Sequence, residues 1–193
     1  TATLAYTGAA AAKHGGDWGA KAVTTTYKKV GDNFILNGTL RYVIYGHTAD
    51  LLIIAARAEN SQGENGIALF AVPACTTGIT RRWTPTLDQT RHQADIILNN
   101  VSVPTSALMN NEGTAWSSLH KIISLAKVAV AAEQMGGAQE ILDRTVAFMQ
   151  ERVQFGRAIA SFQAIKHKAA DMMLKCEVSR SAVYYAACVA QEA

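Results

Sequence analysis

The sequence predicts an α+β chain. An antiparallel β-barrel or sandwich domain takes residues 1–110, and long antiparallel helices of an incomplete four-helix bundle take 113–193. Two observations predict this. Up to Pro104 the apolar runs are short and recur roughly every ten residues between turn signals, the rhythm of a β domain. From Gly113 onward apolar residues recur at three- and four-residue steps, the helical period.

Within the first half, residues 20–30 are rich in Val, Thr and Tyr and stop at Gly31-Asp32-Asn33, a turn signal. Phe34-Ile35-Leu36 runs into Asn37-Gly38, the dipeptide that most strongly favours a hairpin turn. Residues 40–45, 50–58, 66–72, 79–83 and 94–103 follow as strands, with 61–65 as a polar hairpin tip. Leu51-Leu52-Ile53-Ile54-Ala55-Ala56 is apolar throughout, as in a strand covered on both faces. A buried helix segment would read alike, but Asp50 and Arg57 bracket a strand's length.

In the second half Leu119, Ile122, Ile123, Ala126, Ala129, Val130, Ile141, Leu142, Thr145, Val146 and Met149 recur at three- and four-residue steps and mark a first helix. Gly136-Gly137 lies inside it, at a cost of about 1 kcal/mol per glycine against alanine. The pair predicts a kink or a close approach by a helix or ligand, with close helix packing the plainer account. Ser161 is the expected N-cap of a second helix, and Ile165, Ala169, Met172, Met173, Cys176, Val183 and Ala187 are its stripe. Two such helices cannot bury their stripes on each other alone. They call for further helices from the rest of the polypeptide or from a partner subunit.

Composition narrows the function. Hydrophobic residues make up 49% and charged residues 17%, enough apolar surface for a sizeable core or a large interface. A dispersed net charge of +3, with no basic cluster among aromatics, excludes nucleic acid. Cys75, Cys176 and Cys188 are odd in number and far apart, which predicts buried free thiols in a reducing compartment, with no disulfide framework. His14, His47, His92, His120 and His167 are scattered and make no metal set. No apolar run reaches the ~18–20 residues of a membrane span. Neither a nucleophile elbow nor a glycine-rich phosphate loop is present. The chain starts at Thr1 inside an apolar phrase, ends without a helix stop signal, and reads as part of a longer polypeptide.

One short break between the helices could carry chemistry. Arg152-Val153-Gln154-Phe155-Gly156-Arg157 is followed by Phe162-Gln163-Ala164-Ile165. Arg152 offers a planar fork for phosphate oxygens. Phe155 offers a face for a purine ring, and Gly156 permits a sharp turn with close backbone approach. The helix N-terminus nearby adds free N–H groups and a positive dipole end. An ordinary helix connection with one surface arginine is the other reading of the same spacing.

These phrases resemble the flavin-dependent acyl-CoA dehydrogenases, in order and at matching separations from about Phe34 onward. Asn37-Gly38 with Gly46-His47-Thr48-Ala49-Asp50 is similar to the strand pair after the family's flavin loop. Thr86-Leu87-Asp88-Gln89-Thr90-Arg91 leading into Val101-Ser102-Val103-Pro104 is similar to the close of its middle β-domain. Ala131-Ala132-Glu133-Gln134-Met135-Gly136 resembles the opening of its long helix. The Arg-x-x-Phe-Gly and Phe-Gln phrases, with Ala169-Ala170-Asp171-Met172, complete the match.

The resemblance implies a middle β-domain over 1–110 and the first two helices of a C-terminal helical domain over 113–193. It places an N-terminal helical domain and the last helices outside the chain. It further implies FAD as cofactor, an acyl-CoA substrate, an electron-transfer partner, a homo- or hetero-oligomer, typically a tetramer, and a cytoplasmic or mitochondrial-matrix setting. Arg152 and Phe155, with Gly156 at the turn, match residues that contact the pyrophosphate and adenine of FAD held mainly by the neighbouring subunit. Gln163 matches the same adenosine pocket. Thr7 and Tyr42 match the flavin-ring side.

That side departs from the family pattern. The Leu-Thr-Glu-Pro and Gly-Ser-Asp phrases read Ala5-Tyr6-Thr7-Gly8-Ala9 and Gly15-Gly16-Asp17. The Trp-x-Thr/Ser phrase reads Tyr42-Val43-Ile44. A catalytic Glu on the first long helix would fall at Ala126, where this chain has none, followed by Lys127 in place of Arg. The implied function is a subunit of a heteromeric acyl-CoA dehydrogenase, of the kind found in steroid and lipid breakdown, that lends its adenine half-site to a partner's FAD. A self-sufficient homotetramer, a flavin monooxygenase of the same fold and a non-catalytic scaffold are the alternatives.

Overall fold

The structure is a computed structural model and describes residues 1–8 and 18–192. It divides into two compact units, Thr1–His120 and Lys121–Ala193. In the first, β1 (Ala2–Ala5), β2 (Thr26–Val30), β3 (Asn33–Ile44), β4 (Leu51–Ala58), β5 (Ile67–Pro73), β6 (Ile79–Thr84) and β7 (Gln93–Pro104) form one half-barrel sheet. The strand order is β1-β4-β2-β3-β7-β6, with β5 on the other side of β4. Most pairs are antiparallel, as expected, but β1 and β2 both run parallel to β4, so the sheet is mixed. β1 matches no expected strand. Four residues are too short a run to show a period, and its partner β4 lies far along the chain.

The turn at Gly31-Asp32 stands where expected, with Val30 paired to Asn33 and Gly31 at φ +60°. Asn37-Gly38 is not a turn. β3 runs through it, and the pair serves a bulge against β7. Between Leu36 and Gly38 the register slips, with the extra residue on β7, where Asn100 has φ 50°. The Asn37 side chain accepts from the Asn100 backbone N–H at 2.7 Å and donates to Asn100 Oδ1 at 3.1 Å. Gly38 has φ +142°, and a Cβ there would lie 2.9 Å from the Thr25 Cα. The features that favour a hairpin, an amide side chain and a residue free of Cβ, here bend a long strand.

Tyr27, Phe34 and Phe70 meet edge to face at the centre of this unit, with centroids 5.6, 5.3 and 5.2 Å apart. Leu36, Leu40, Leu52, Ile54, Val72 and Ile96 close around them. Each such side chain contributes about 1.5–3 kcal/mol by leaving water. β4 buries Leu52, Ile54, Ala55 and Ala56 fully and Leu51 and Ile53 by half, close to the two-sided cover expected of its apolar run.

The second unit holds most of α1 (Trp116–Glu151), a hairpin of β8 (Val153–Gln154) and β9 (Arg157–Ala158), and α2 (Gln163–Glu192). α1 and α2 pack through Met135, Leu142 and Cys176, with Val146 and Val183 beside them. Arg180 of α2 donates to the Gln139 side chain at 2.6 Å. Ile141, Phe148, Leu174, Val178 and Tyr185 stay exposed. The Gly136-Gly137 pair lies within the continuous helix α1, and a Cβ on either glycine would meet nothing within 4 Å among the described residues. The Ala131–Gly136 phrase thus lies mid-helix and not at its start. Ser161 is not the cap of α2. It ends a 3-10 turn and donates to the Ala158 carbonyl at 2.7 Å, while the Phe162 carbonyl accepts the first helical bonds. Of the cysteines, only Cys176 is buried; Cys75 and Cys188 are exposed.

The Tyr27 hydroxyl is pushed up to about 12, by burial first and then by the charge and hydrogen bond of Glu112. The folded state therefore holds its proton more tightly than the unfolded chain. The stability this gives is complete below about pH 10 and is lost as pH rises towards about 12. Urea unfolding should show the margin of wild type over Tyr27→Phe shrinking by about 2 kcal/mol across that window. A margin that stays constant there would contradict the assignment.

Candidate functional site

The break between the long helices is a two-residue hairpin. Gln154 pairs with Arg157, which leaves Phe155 and Gly156 as the loop, at φ 54° and φ 76°. Positive φ at both central positions is the requirement of a type I′ turn, the loop that suits strand twist. Gly156 meets it without strain. Phe155 does not, since a left-handed backbone costs a side-chain-bearing residue about 1–2 kcal/mol. Its ring is 91% exposed, so burial does not offset that cost.

Two aromatic contacts hold the loop. The Phe155 ring meets Phe162 edge-on at 6.2 Å, and the Arg157 guanidinium lies 4.2 Å over the Phe162 ring. Arg152 follows the last turn of α1. Its N–H donates to the Phe148 carbonyl at 2.9 Å and its carbonyl accepts from Ile159 at 2.8 Å. Both backbone groups are thus fixed, while the guanidinium is exposed and has no protein partner among the described residues. Gln163 opens α2 and is exposed. Arg152, Phe155, Gly156 and Gln163 therefore gather around one hairpin and the helix N-terminus after it. An unpaired fork, an exposed ring and an open turn fit a phosphate joined to a flat heterocycle.

Thr7 lies along the edge of β3 beyond β2, bonded one residue before Tyr42. The Thr7 carbonyl accepts from the Arg41 N–H at 2.7 Å, and Gly8 bridges to Leu40. A second bulge lies here, between Leu40 and Val43, with the extra residue on β3. Tyr42 sits in it at φ 58° and is 48% exposed. Such strain at an aromatic residue is uncommon and gathers at functional positions. Ile44 is exposed beside it, and its carbonyl accepts from the Thr3 hydroxyl at 2.7 Å. The Ile44 side chain offers no donor. Ala9, His14 and Gly15-Gly16-Asp17 lie outside the described residues.

Behind Thr7 stands a group that sequence reasoning missed. Arg57, on β4, donates to the carbonyls of Val23 at 2.6 Å, Ala20 at 2.9 Å, Ser61 at 2.9 Å and Gly63 at 3.0 Å. Its backbone N–H donates to the Thr25 carbonyl at 2.9 Å. Burial lowers the pKa of this guanidinium. In the sequence Arg57 was only the polar end of an apolar strand. His47 and His92 also come together, 5.7 Å apart, with Tyr45 and Trp83 each 6.3 Å from His92. No group of three or more His, Cys, Asp or Glu could hold a metal among the described residues. No helix there is long and apolar enough to cross a membrane. Ala126 and Lys127 lie on an exposed side of α1.

A curved β unit leading into long antiparallel helices is the class of fold that follows from this geometry, and known proteins place it further. Residues 7–101 match the acyl-CoA dehydrogenase middle domain, and residues 113–193 match the acyl-CoA dehydrogenase C-terminal domain. The chain belongs to the acyl-CoA dehydrogenase family, a family of FAD-using oxidoreductases. It is 32% identical to an acyl-CoA dehydrogenase of Bacillus subtilis over 90% of its own length and 46% of that protein. Butyryl-CoA dehydrogenase from Megasphaera elsdenii superposes with a TM-score of 0.84 at 28% identity, over 99% of this chain and 49% of that one. PigA with FAD and proline superposes with a TM-score of 0.86 at 26% identity, over 95% and 47%. The chain thus spans about half the length of these relatives.

Phe155 tests whether the exposed ring is structural. Asparagine tolerates positive φ, so Phe155→Asn should relieve about 1 kcal/mol of backbone strain while losing about 0.5–1.5 kcal/mol of ring pairing. The expected change in stability of the full-length protein is within about 1 kcal/mol of zero by denaturant melting. A loss above about 3 kcal/mol would mean that the ring serves the fold.

Proposed function

We propose that this chain is part of a subunit of a heteromeric acyl-CoA dehydrogenase and lends the adenine and pyrophosphate half-site to the FAD of a neighbouring subunit. The observation that carries the reading is the hairpin. It holds Phe155 outward at 91% exposure, at a backbone cost, beside an arginine with no protein partner among the described residues. On this reading Arg152 pairs with the pyrophosphate, Phe155 covers the adenine, Gly156 admits the backbone and Gln163 holds the adenosine. Residues 1–110 are the middle β-domain, and residues 113–193 are the first two helices of the C-terminal domain.

The reaction is desaturation of an acyl-CoA thioester. Bound FAD would supply the hydride acceptor for the β-carbon, and a carboxylate would take the α-proton. This segment offers alanine at position 126, so the base comes from elsewhere in the polypeptide or from the partner. Electrons leave to an electron-transfer partner, and the helices of the second unit assemble a tetramer in the cytoplasm or mitochondrial matrix.

A second reading has one observation in its favour. Thr7 is bonded to Arg41, next to the strained Tyr42, an arrangement that suits a chain holding a flavin ring of its own in a self-sufficient homotetramer. Flavin stoichiometry separates the two: one per chain for the homotetramer, about one per pair of unlike subunits for the heteromer.

Arg152→Ala in the full-length protein, purified with its partner, removes a charge-assisted contact that contributes about 1.5–3 kcal/mol. FAD retention should weaken roughly 10- to 100-fold by dialysis and flavin fluorescence, with the oligomer intact by light scattering. Unchanged retention would refute the half-site.

A further inference from the structure

We infer that Arg57 is a positioning residue for the Thr7–Tyr42 edge, acting through backbone carbonyls and touching no ligand itself. The inference rests on the second reading above, in which that edge faces a flavin ring held by this chain. The relay can be followed bond by bond. The guanidinium grips the Ala20 and Val23 carbonyls, and the Arg57 N–H grips that of Thr25. The stretch from Ala20 to Thr25 is thereby fixed to β4. Ala22, inside it, accepts the Gly8 N–H at 2.8 Å. Gly8 bridges to Leu40, and the Thr7 carbonyl takes the Arg41 N–H at 2.7 Å, one residue before the strained Tyr42.

Each link depends on the one before. Ala20–Ala22 is a single short 3-10 turn, closed by the Ala22 and Val23 N–H groups on the Gly19 and Ala20 carbonyls. Only arginine, with its planar fork of five donors, can satisfy four carbonyls from two directions at once; a lysine ammonium has three donors and one centre. The fit at Gly8 is equally narrow. A Cβ there would come within 1.7 Å of Thr24 Oγ1 and 3.1 Å of the Thr24 backbone N. Gly8→Ala therefore breaks the same relay one step later and leaves Arg57 untouched.

Hydrogen exchange on the full-length protein with its partner tests the relay, using Arg57→Lys and Gly8→Ala side by side. Peptides that carry the Gly8 and Arg41 amides should exchange at least tenfold faster in both variants, while those from β4 and β5 keep the wild-type rate. Equal acceleration across the whole β unit, or none at Gly8 and Arg41, would overturn the positioning role. Titration of flavin-stripped protein with FAD forms the second arm. Weaker binding with an altered visible flavin band in both variants supports the inference. Local acceleration with FAD affinity and spectrum unchanged overturns the flavin reading of this edge and leaves the relay as pure architecture.

Discussion

One geometric constraint shapes the β unit: a single side of β4 is shared by two strands. β1 takes residues 51–54, and β2 takes Arg57 and Ala58. The chain that leaves β1 must therefore return to the same edge a few residues further along. Within that return, Ala20–Thr25 lies outside any strand, and its carbonyls need partners that no ladder supplies. Arg57 supplies them from β4 itself. A cation drawn partly out of water is costly unless its donors are satisfied. Four carbonyl dipoles satisfy these. The same constraint explains why both β1 and β2 are parallel to β4 in a sheet whose other joins are antiparallel.

The helical unit obeys a different constraint. On α1, Met135, Leu142 and Met149 recur every seven residues and are nearly buried, the first two against α2. Ile141 and Phe148, also seven apart, lie roughly 100° further round and stay exposed. On α2, Cys176 and Val183 face α1, while Val178 and Tyr185 lie roughly 200° away and are exposed. Each helix thus carries two apolar faces and satisfies one. A helix apolar on more than one side is built for neighbours on more than one side. Gly137, with open space where a Cβ would go, lies near the free face of α1 and leaves it smooth.

How much of this was legible in the sequence depended on whether a signal is local. The turn at Gly31-Asp32, most strands and both long helices are set by neighbours in sequence and stand where expected; residues 20–30, read as one strand, instead begin with a 3-10 turn at Ala20–Ala22 and form β2 only from Thr26. Asn37-Gly38 was misplaced because its chemistry serves a turn and a bulge equally well; only Asn100, 63 residues away, decides between them. Ser161 failed as a cap because a 3-10 turn had already engaged its hydroxyl. The single expected stripe on α2 omitted Leu174, Val178 and Tyr185, since a second apolar face blurs the period that reveals the first. Arg57 was invisible because nothing local marks an arginine whose partners are backbone carbonyls.

The same distinction separates the two candidate regions, the hairpin and the sheet edge. The hairpin half is written in side chains and local backbone, and for that reason its motif could be read directly: Arg152 for charge, Phe155 for a ring, Gly156 for positive φ. The sheet-edge half is held by main-chain bonds, from Thr7 to Arg41 and from Gly8 to Ala22, which any side chain can flank. Loss of a hydroxyl at Ile44 therefore leaves the edge in place while removing a donor from it. Erosion of side chains and preservation of backbone are compatible within one fold. They are what a subunit would show if it kept its architecture for assembly and lent its intact half-site to another chain.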